Sequence, residues 1–365
     1  MEPILLMHPH HSMMESVELD SILAHESHRA DTQTNWPKRS WERLTELGCM
    51  RWSIPTAYGG DDLSGEALMA GYEAIAASCL TTAFCFSQRE AAVRRIRSLA
   101  PPAIREEWLP DLARGQRIVT VGLSQLSTSR QHRAPALLAT ALGNPDSPEC
   151  YRLHGDVPWV TAADQSDAMV IGACLEDGQQ VLFLVPTDLP GVTIDSPMEL
   201  TALLGSRTAS VHFDAVEIPR HLVLAGPAPQ LLGPMTGGGL ETSCLALGLV
   251  RASVGYLAGE SRDRPHLNPI VERFETHLQS ARRRLLGLVR NTLSSDAVLS
   301  LRASCTRLAL RATQAVLTVA KGAGFVAPHP AARWARQALF FLVWSCPQPT
   351  ATALLTELTP PVAVN

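Results

Sequence analysis

The chain has 365 residues, 46% of them hydrophobic and 18% charged, with a formal net charge of -4 and a pI near 6.3. That balance is too apolar for a disordered chain and too interrupted by charge for a membrane protein, and no run reaches the roughly 18 apolar residues that a membrane-crossing helix needs. The charge gives no reason to bind nucleic acid or an anionic membrane, and the length predicts two or three domains of about 100–200 residues each.

The start, MEPILLMHPHHSMMESVELD, turns acidic by Glu15 and has no basic leader before a continuous apolar stretch. No secretory signal is expected, so the chain reads as cytoplasmic. His8, His10 and His11 crowd this segment, and a frayed terminus accounts for them better than a metal site. Residues 1–115 read as a helical domain, with apolar residues recurring at three and four in Trp41, Leu44 and Leu47 and again from Ala67 to Leu80. The segment IPTAYGG, residues 54–60, punctuates it with a proline and paired glycines. Residues 116–228 change to short β-rich runs, IVTVGL, AMVIGA, VLFLVP and SVHFDAVEIP, separated by Gly, Pro and Asp turns. Over residues 229–365 helical periodicity returns, in ETSCLALGLVRASVGYLAGE, in IVERFETHLQSARRRLLGLVRNTL and from Ala297 to Ala320.

Strands segregated between two helical regions exclude an alternating βα order and predict an α+β chain. No GxGxxG follows a strand run, which leaves a Rossmann dinucleotide site without support. Arg282, Arg283 and Arg284 point in different directions on a helix and read as a solvated face. The eight cysteines, at 49, 79, 85, 150, 174, 244, 305 and 346, form no CxxC pair and read as isolated thiols rather than disulfides or a zinc site.

Several separated motifs, in this order, resemble those of acyl-CoA dehydrogenases: IPTAYGG; REEWLPDLARGQRIVTVGLS; LHGDVPWVTAADQSDAMVIGA; LLGSRTASVHFDAVEIP; and KGAGFVAPHPAARWARQAL. The correspondence spans residues 35–345. It implies an N-terminal helical domain, a middle β domain and a C-terminal helical bundle that hold FAD and oxidise an acyl thioester, usually an acyl-CoA. It also implies an electron acceptor such as electron-transfer flavoprotein and a homodimer or homotetramer, with no nucleic acid, metal or membrane insertion.

The resemblance assigns flavin contacts to Leu123, Ser124, Trp159, Thr161, Thr318, Gly322 and Gly324. Trp159 offers a flat apolar wall, and Thr161, two residues on, is expected on the same side of the strand with a hydroxyl. A tryptophan packed in a β core beside an ordinary strand threonine is the bland alternative. Several positions depart from the family pattern. Ser124, Gln125 and Leu126 stand for threonine, glutamate and proline, and Ser129, Arg130 and Gln131 for glycine, serine and aspartate. Thr318 stands for glutamine, Lys321 for the first glycine of the turn, and Gln337 for the aspartate after Arg336. The helical hairpin that carries an arginine to a neighbouring subunit's FAD is shortened to ESRDRPHLNPI, where Pro265 and Pro269 forbid a continuous helix and Arg262 or Arg264 is left as a substitute.

Dehydrogenation of an acyl thioester needs a carboxylate to take the α-proton. Most of the family places it in the loop after the last helix of the resemblance, where this chain has Ser345. Isovaleryl-CoA and long-chain types carry it on a helix instead, and aligning GGLETSCLALG with that helix puts Glu241 there. A glutamate in the first turn of a helix after Gly237, Gly238 and Gly239 also suits the positive helix end whatever the chemistry. Ser345 and Arg251 are assigned to the substrate side. Two competing readings keep the fold: a flavin monooxygenase, and a flavin-free binding or scaffold protein.

Overall fold

The computed structural model describes residues 20–63, 65–126, 135–144, 147–232, 239–291 and 294–359. His8, His10, His11, Ser129, Arg130, Gln131, Gly237 and Gly238 lie outside the described residues.

Among the described residues, five helices come first: α1 (Ser21–Thr32), α2 (Lys38–Glu46), α3 (Gly65–Ser78), α4 (Leu80–Leu99) and α5 (Pro102–Ala113). Asp20 starts α1 by accepting from the Ile22 and Leu23 amides at 3.0 Å, which satisfies two donors that a helix start leaves open. Between α2 and α3, IPTAYGG forms a 3₁₀ turn, and only glycine fits at Gly60 because a Cβ there would lie 1.9 Å from the Ile54 carbonyl oxygen.

The middle segment folds as β1 (Val119–Gly122), β2 (Leu137–Asn144), β3 (Ser147–Val160), β4 (Ala168–Cys174), β5 (Gln180–Pro186), β6 (Val192–Ile194), β7 (Ala209–Pro219) and β8 (Val223–Ala228). They form one sheet in the order β6-β7-β3-β2-β4-β5-β8, with β1 added in parallel beside β4. β3 and β7 are antiparallel, and their register slips between Val157 and Val160 so that the strand bulges at Pro158 and Trp159.

Helices resume as α6 (Gly239–Ser261), α7 (Asn268–Arg290), α8 (Ser295–Ala320), α9 (Pro330–Phe340) and α10 (Gln348–Leu358). The predicted α+β class is the observed one, helices on either side of a segregated sheet. α6 packs against α3 and α8. It closes on α3 where Gly248 removes a side chain, since a Cβ there would lie 2.6 Å from the Glu73 carbonyl oxygen. By length and composition α6 is apolar enough to cross a membrane, a property that counting unbroken apolar runs missed; 67% of its most apolar window is buried within the protein.

Two apolar cores result. The helical core draws on both chain halves, including Leu44, Ile75 and Phe86 from the first and Leu247, Leu301, Val316 and Phe341 from the last. The second core lies around the sheet. α4 enters both, with Leu80 to Phe86 in the helical core and Ala92, Val93 and Ile96 in the sheet core beside Val119 and Val121. Buried Asp31 ties three regions together: its carboxylate accepts from the Leu203 amide at 2.9 Å, from Gln337 Nε2 at 2.9 Å and from Arg336 Nη2 at 2.6 Å.

The arginine run is not a plain solvated face. Arg282 departs from it by binding Glu73 of α3, whereas Arg283 and Arg284 are exposed as expected, Arg284 also donating to Ser300 and Ser304 of α8. All eight cysteines are free thiols, and burial pushes Cys305 up to about 12.

Candidate active site

Leu123 and Ser124 follow directly from β1, and both are partly exposed. The turn Ser124–Leu126 is held from below by Gln125, whose buried amide donates to the Gly122 carbonyl at 3.0 Å and to the Gly172 carbonyl at 2.6 Å. Gln125 therefore fixes the turn that presents Leu123 and Ser124, where the sequence suggested only a departure from the family's glutamate.

Trp159 is 50% exposed although its strand neighbours Val157 and Val160 are fully buried. Thr161 is buried just beyond the end of β3. Its carbonyl accepts from the Thr120 hydroxyl at 2.8 Å, and its own hydroxyl lies 3.4 Å from that of Thr208, which also meets Ser206 at 2.9 Å. Strand alternation does not put Trp159 and Thr161 on one side, because the bulge interrupts the period and Thr161 lies past the strand. What the structure brings together is a half-exposed indole and, next to it, a cluster of three hydroxyls that includes a long contact at Thr161.

Glu241 stands in the first turn of α6, where the unpaired amides of the helix start favour an acid. Gly239 makes its position possible: at φ 60° it takes a backbone form that favours glycine, and a Cβ there would lie 2.6 Å from Glu241 Oε2. The other oxygen, Oε1, meets Arg94 Nη2 of α4 at 2.8 Å, and Arg94 Nη1 donates to the Tyr72 hydroxyl of α3 at 3.1 Å. Burial opposes the Arg94 charge, but Glu241, Tyr72 and Glu90 outweigh it and raise Arg94 above its ordinary value. Burial holds the Tyr72 hydroxyl well above its usual range, so it stays protonated. Arg94 and Tyr72 are site residues that sequence reasoning missed. The adjacent arginines 94 and 95 inside an otherwise apolar helix were the available signal, but nothing local pairs them with Glu241.

The C-terminal residues are less of a unit. Arg251 lies ten residues beyond Glu241 on α6, about 15 Å along the axis at 1.5 Å per residue, so the two do not share one contact point. Thr318 is exposed and its hydroxyl donates back to the Gln314 carbonyl at 2.9 Å. Gly324 is buried, and a Cβ there would come 2.7 Å from Ala320 Cβ, so this glycine serves the packing of the turn Lys321–Phe325 against α8 and α9. At Gly322 an added Cβ would meet nothing within 4 Å. Arg264 donates to the Val319 carbonyl at 3.0 Å and pairs with Glu260, which leaves Arg262 as the exposed arginine of the shortened hairpin. Gln337, read as a lost flavin contact, is buried on Asp31. Ser345 sits at φ 46° in the turn after α9, and that turn is held by buried Arg302, whose Nη2 donates to the Trp344 carbonyl at 2.5 Å.

Residues 18–116 match the family model for the acyl-CoA dehydrogenase N-terminal domain. The probable acyl-CoA dehydrogenase YngJ of Bacillus subtilis (strain 168) is 23% identical over 272 residues, covering 72% of this chain and 70% of that one. Butyryl-CoA dehydrogenase from Megasphaera elsdenii superposes with a TM-score of 0.85 at 17% identity, over 98% of this chain and 100% of that one. A glutaryl-CoA dehydrogenase from Mycobacterium smegmatis, in complex with FADH2, superposes with a TM-score of 0.83 at 19% identity, over 99% of this chain and 97% of that one. The fold of these enzymes is the fold of this chain. The family-model match lies in the first helical region, and the whole chain shares the fold of acyl-CoA dehydrogenases.

Proposed function

We propose that the protein is a flavin-dependent dehydrogenase acting on the α,β-carbons of an acyl thioester, with Glu241 as the base. The observation that carries this reading is the Glu241–Arg94 pair. A carboxylate at a helix start, held through one oxygen at 2.8 Å, stands where the resemblance to the isovaleryl-CoA type implies a base. Ser345, at the alternative base position, is small and leaves room.

The residues at the sheet end suit the ring end of FAD. Trp159 offers an uncovered indole face, Thr161 a hydroxyl that lies 3.4 Å from its partner among the described residues, and Leu123 and Ser124 a fixed edge. Gly322 leaves open backbone surface for a distant part of the same cofactor. FAD, when bound, supplies the acceptor for the β-hydride. The chain's own part is to orient the acyl group and take the α-proton. Arg94 fixes Glu241 Oε1, leaving Oε2 over Gly239 to receive that proton. Electron-transfer flavoprotein or another acceptor then takes the electrons, and the active form is a homodimer or homotetramer in the cytoplasm.

The purified protein should carry FAD or take it up at micromolar concentration. Dialysis should strip it more readily than is usual in the family, because Thr318 and Arg264 are engaged within their own chain. Glu241→Gln should slow flavin reduction by an acyl-CoA by about 10²–10⁴-fold, the usual cost of losing a general base, while FAD and ligand binding persist. Ser345→Ala should keep most of the activity. Flavin reduction at the wild-type rate in Glu241→Gln, measured anaerobically by stopped flow, rules out the base assignment. Oxidation of a substrate only with a reductant and oxygen would move the protein to the monooxygenase class.

A further inference from the structure

A cleft of about 350 Å³ lies between α7 and α8, lined by Arg273, His277, Arg284, Arg307 and Arg311. Ile270, Phe274 and Leu308 give it an apolar lining and are half-buried. Among the described residues no carboxylate lines it. Arg307 is balanced from outside by Glu357 of α10 at 2.7 Å, and Arg284 donates to Ser300 at 3.2 Å and to Ser304 at 3.3 Å. Arg311 has no hydrogen bond or ion pair among the described residues, and Arg273 donates only to the Pro269 carbonyl on its own helix at 3.2 Å. Four guanidinium groups thus share one acid, on a chain whose net charge is -4.

The two helices bring the unbalanced cations to one end. α8 follows α7 after only four residues, so the pair is an antiparallel hairpin in which Arg284 stands opposite Ser300 and Ser304. Seven residues back from Arg284 is His277, and seven on from Ser304 is Arg311; eleven back is Arg273, and eleven on from Ser300 is again Arg311. Arg311 therefore faces the turn that carries Arg273 and His277, with Phe274 between them. Like charges one turn apart repel, as Arg307 and Arg311 do on α8, and an anion in the cleft would relieve that repulsion. This end is remote from Glu241, which opens α6: the short link to α7 leaves from the other end of that 23-residue helix, about 35 Å along its axis.

We propose that this cleft is a binding site for a soluble organic phosphate, with its phosphoryl group among Arg273, His277 and Arg311 and its apolar body over Phe274 and Leu308. A phosphoryl group offers three acceptor oxygens and up to two charges to three donors that converge from two helices, and guanidinium forks suit it. The volume lies within the range of small-molecule sites, about 300–1,000 Å³. A concave site between two helices encloses a small ligand, whereas a bilayer would meet only its rims.

The test uses AMP as the probe, with adenosine and inorganic phosphate as its two halves. Dissociation constants are measured by titration calorimetry on the FAD-loaded full chain without any thioester, so the result stands apart from the dehydrogenase reading. Wild type should bind AMP saturably below millimolar concentration, and more tightly than either half by roughly tenfold or more, as expected for hydrogen bonds to charged groups. Arg273→Met and Arg311→Met should each weaken AMP binding by roughly tenfold. Arg283→Met, on an exposed arginine of α7 outside the cleft, should leave it unchanged. Should Arg311→Met fail to fold, Arg311→Gln gives the same comparison. Absence of saturable AMP binding overturns the inference. So does an affinity that survives in both cleft variants, since AMP then sits elsewhere, or an affinity that adenosine or inorganic phosphate alone equals.

Discussion

Lys321 shows how a side chain and the backbone beneath it can part company. The turn after α8 keeps a conformation of φ 55° and ψ -147° at this position, a region that glycine alone enters freely and that costs another residue about 1–3 kcal/mol. The resemblance puts a glycine at this position, and the backbone form found there is one that suits glycine. Lys321→Gly should raise stability by about 1 kcal/mol, the relief of strain exceeding the added freedom of the unfolded chain, and a higher urea midpoint at unchanged slope would show it. Two other departures from the family pattern gain a structural account in the same way. Gln337 and Gln125 stand where the resemblance gives the family acids, and an alignment registers only the departure; each forms a buried hydrogen bond to a partner far away in sequence, Asp31 for Gln337 and the Gly172 carbonyl for Gln125. That Glu241 stands in the first turn of a helix was legible because helix-start chemistry is local. Its pairing with Arg94 was not, because that depends on how α4 and α6 meet.

At the level of elements, His212 of β7 joins neighbouring strand segments. Nδ1 lies 2.6 Å from Asp156 of β3 and Nε2 lies 2.9 Å from Asp195, which follows β6. Only the charged imidazole donates from both nitrogens, and these bonds to Asp195 and Asp156 raise its pKa above the usual 6.5. A group raised on folding contributes stability that is fully present below its unfolded value and is lost as the pH climbs through the higher folded value. Stability should therefore decline as pH rises above about 6.5, by less than about 1 kcal/mol because the site is largely solvated. Thermal melts of His212→Gln should be flatter across this interval than those of wild type. The chain order of helices, sheet and helices was readable from hydrophobic period alone. The bulge at Trp159 was not, because it arises from pairing with β7, and it overrides the alternation that two residues of spacing would otherwise impose.

For the molecule as a whole, Asp31 is the point where the first helix, the Leu203 turn and α9 meet. Asp31→Ala would strand the Leu203 amide, the Gln337 amide and the Arg336 guanidinium together, and should cost about 3 kcal/mol or more in chemical denaturation. Asp31→Asn, which keeps an acceptor, should cost less. The helical core carries a further consequence for how the chain is made. Leu44, Ile75 and Phe86 leave the ribosome long before Leu247, Leu301, Val316 and Phe341, their companions in the same core. The sheet core is complete by residue 224 and can form while synthesis continues, but the early helices must keep apolar faces in water until the late ones arrive. The nascent protein therefore passes through a stage with a finished sheet and an open helical half, and that stage is when it most needs a chaperone to shield it.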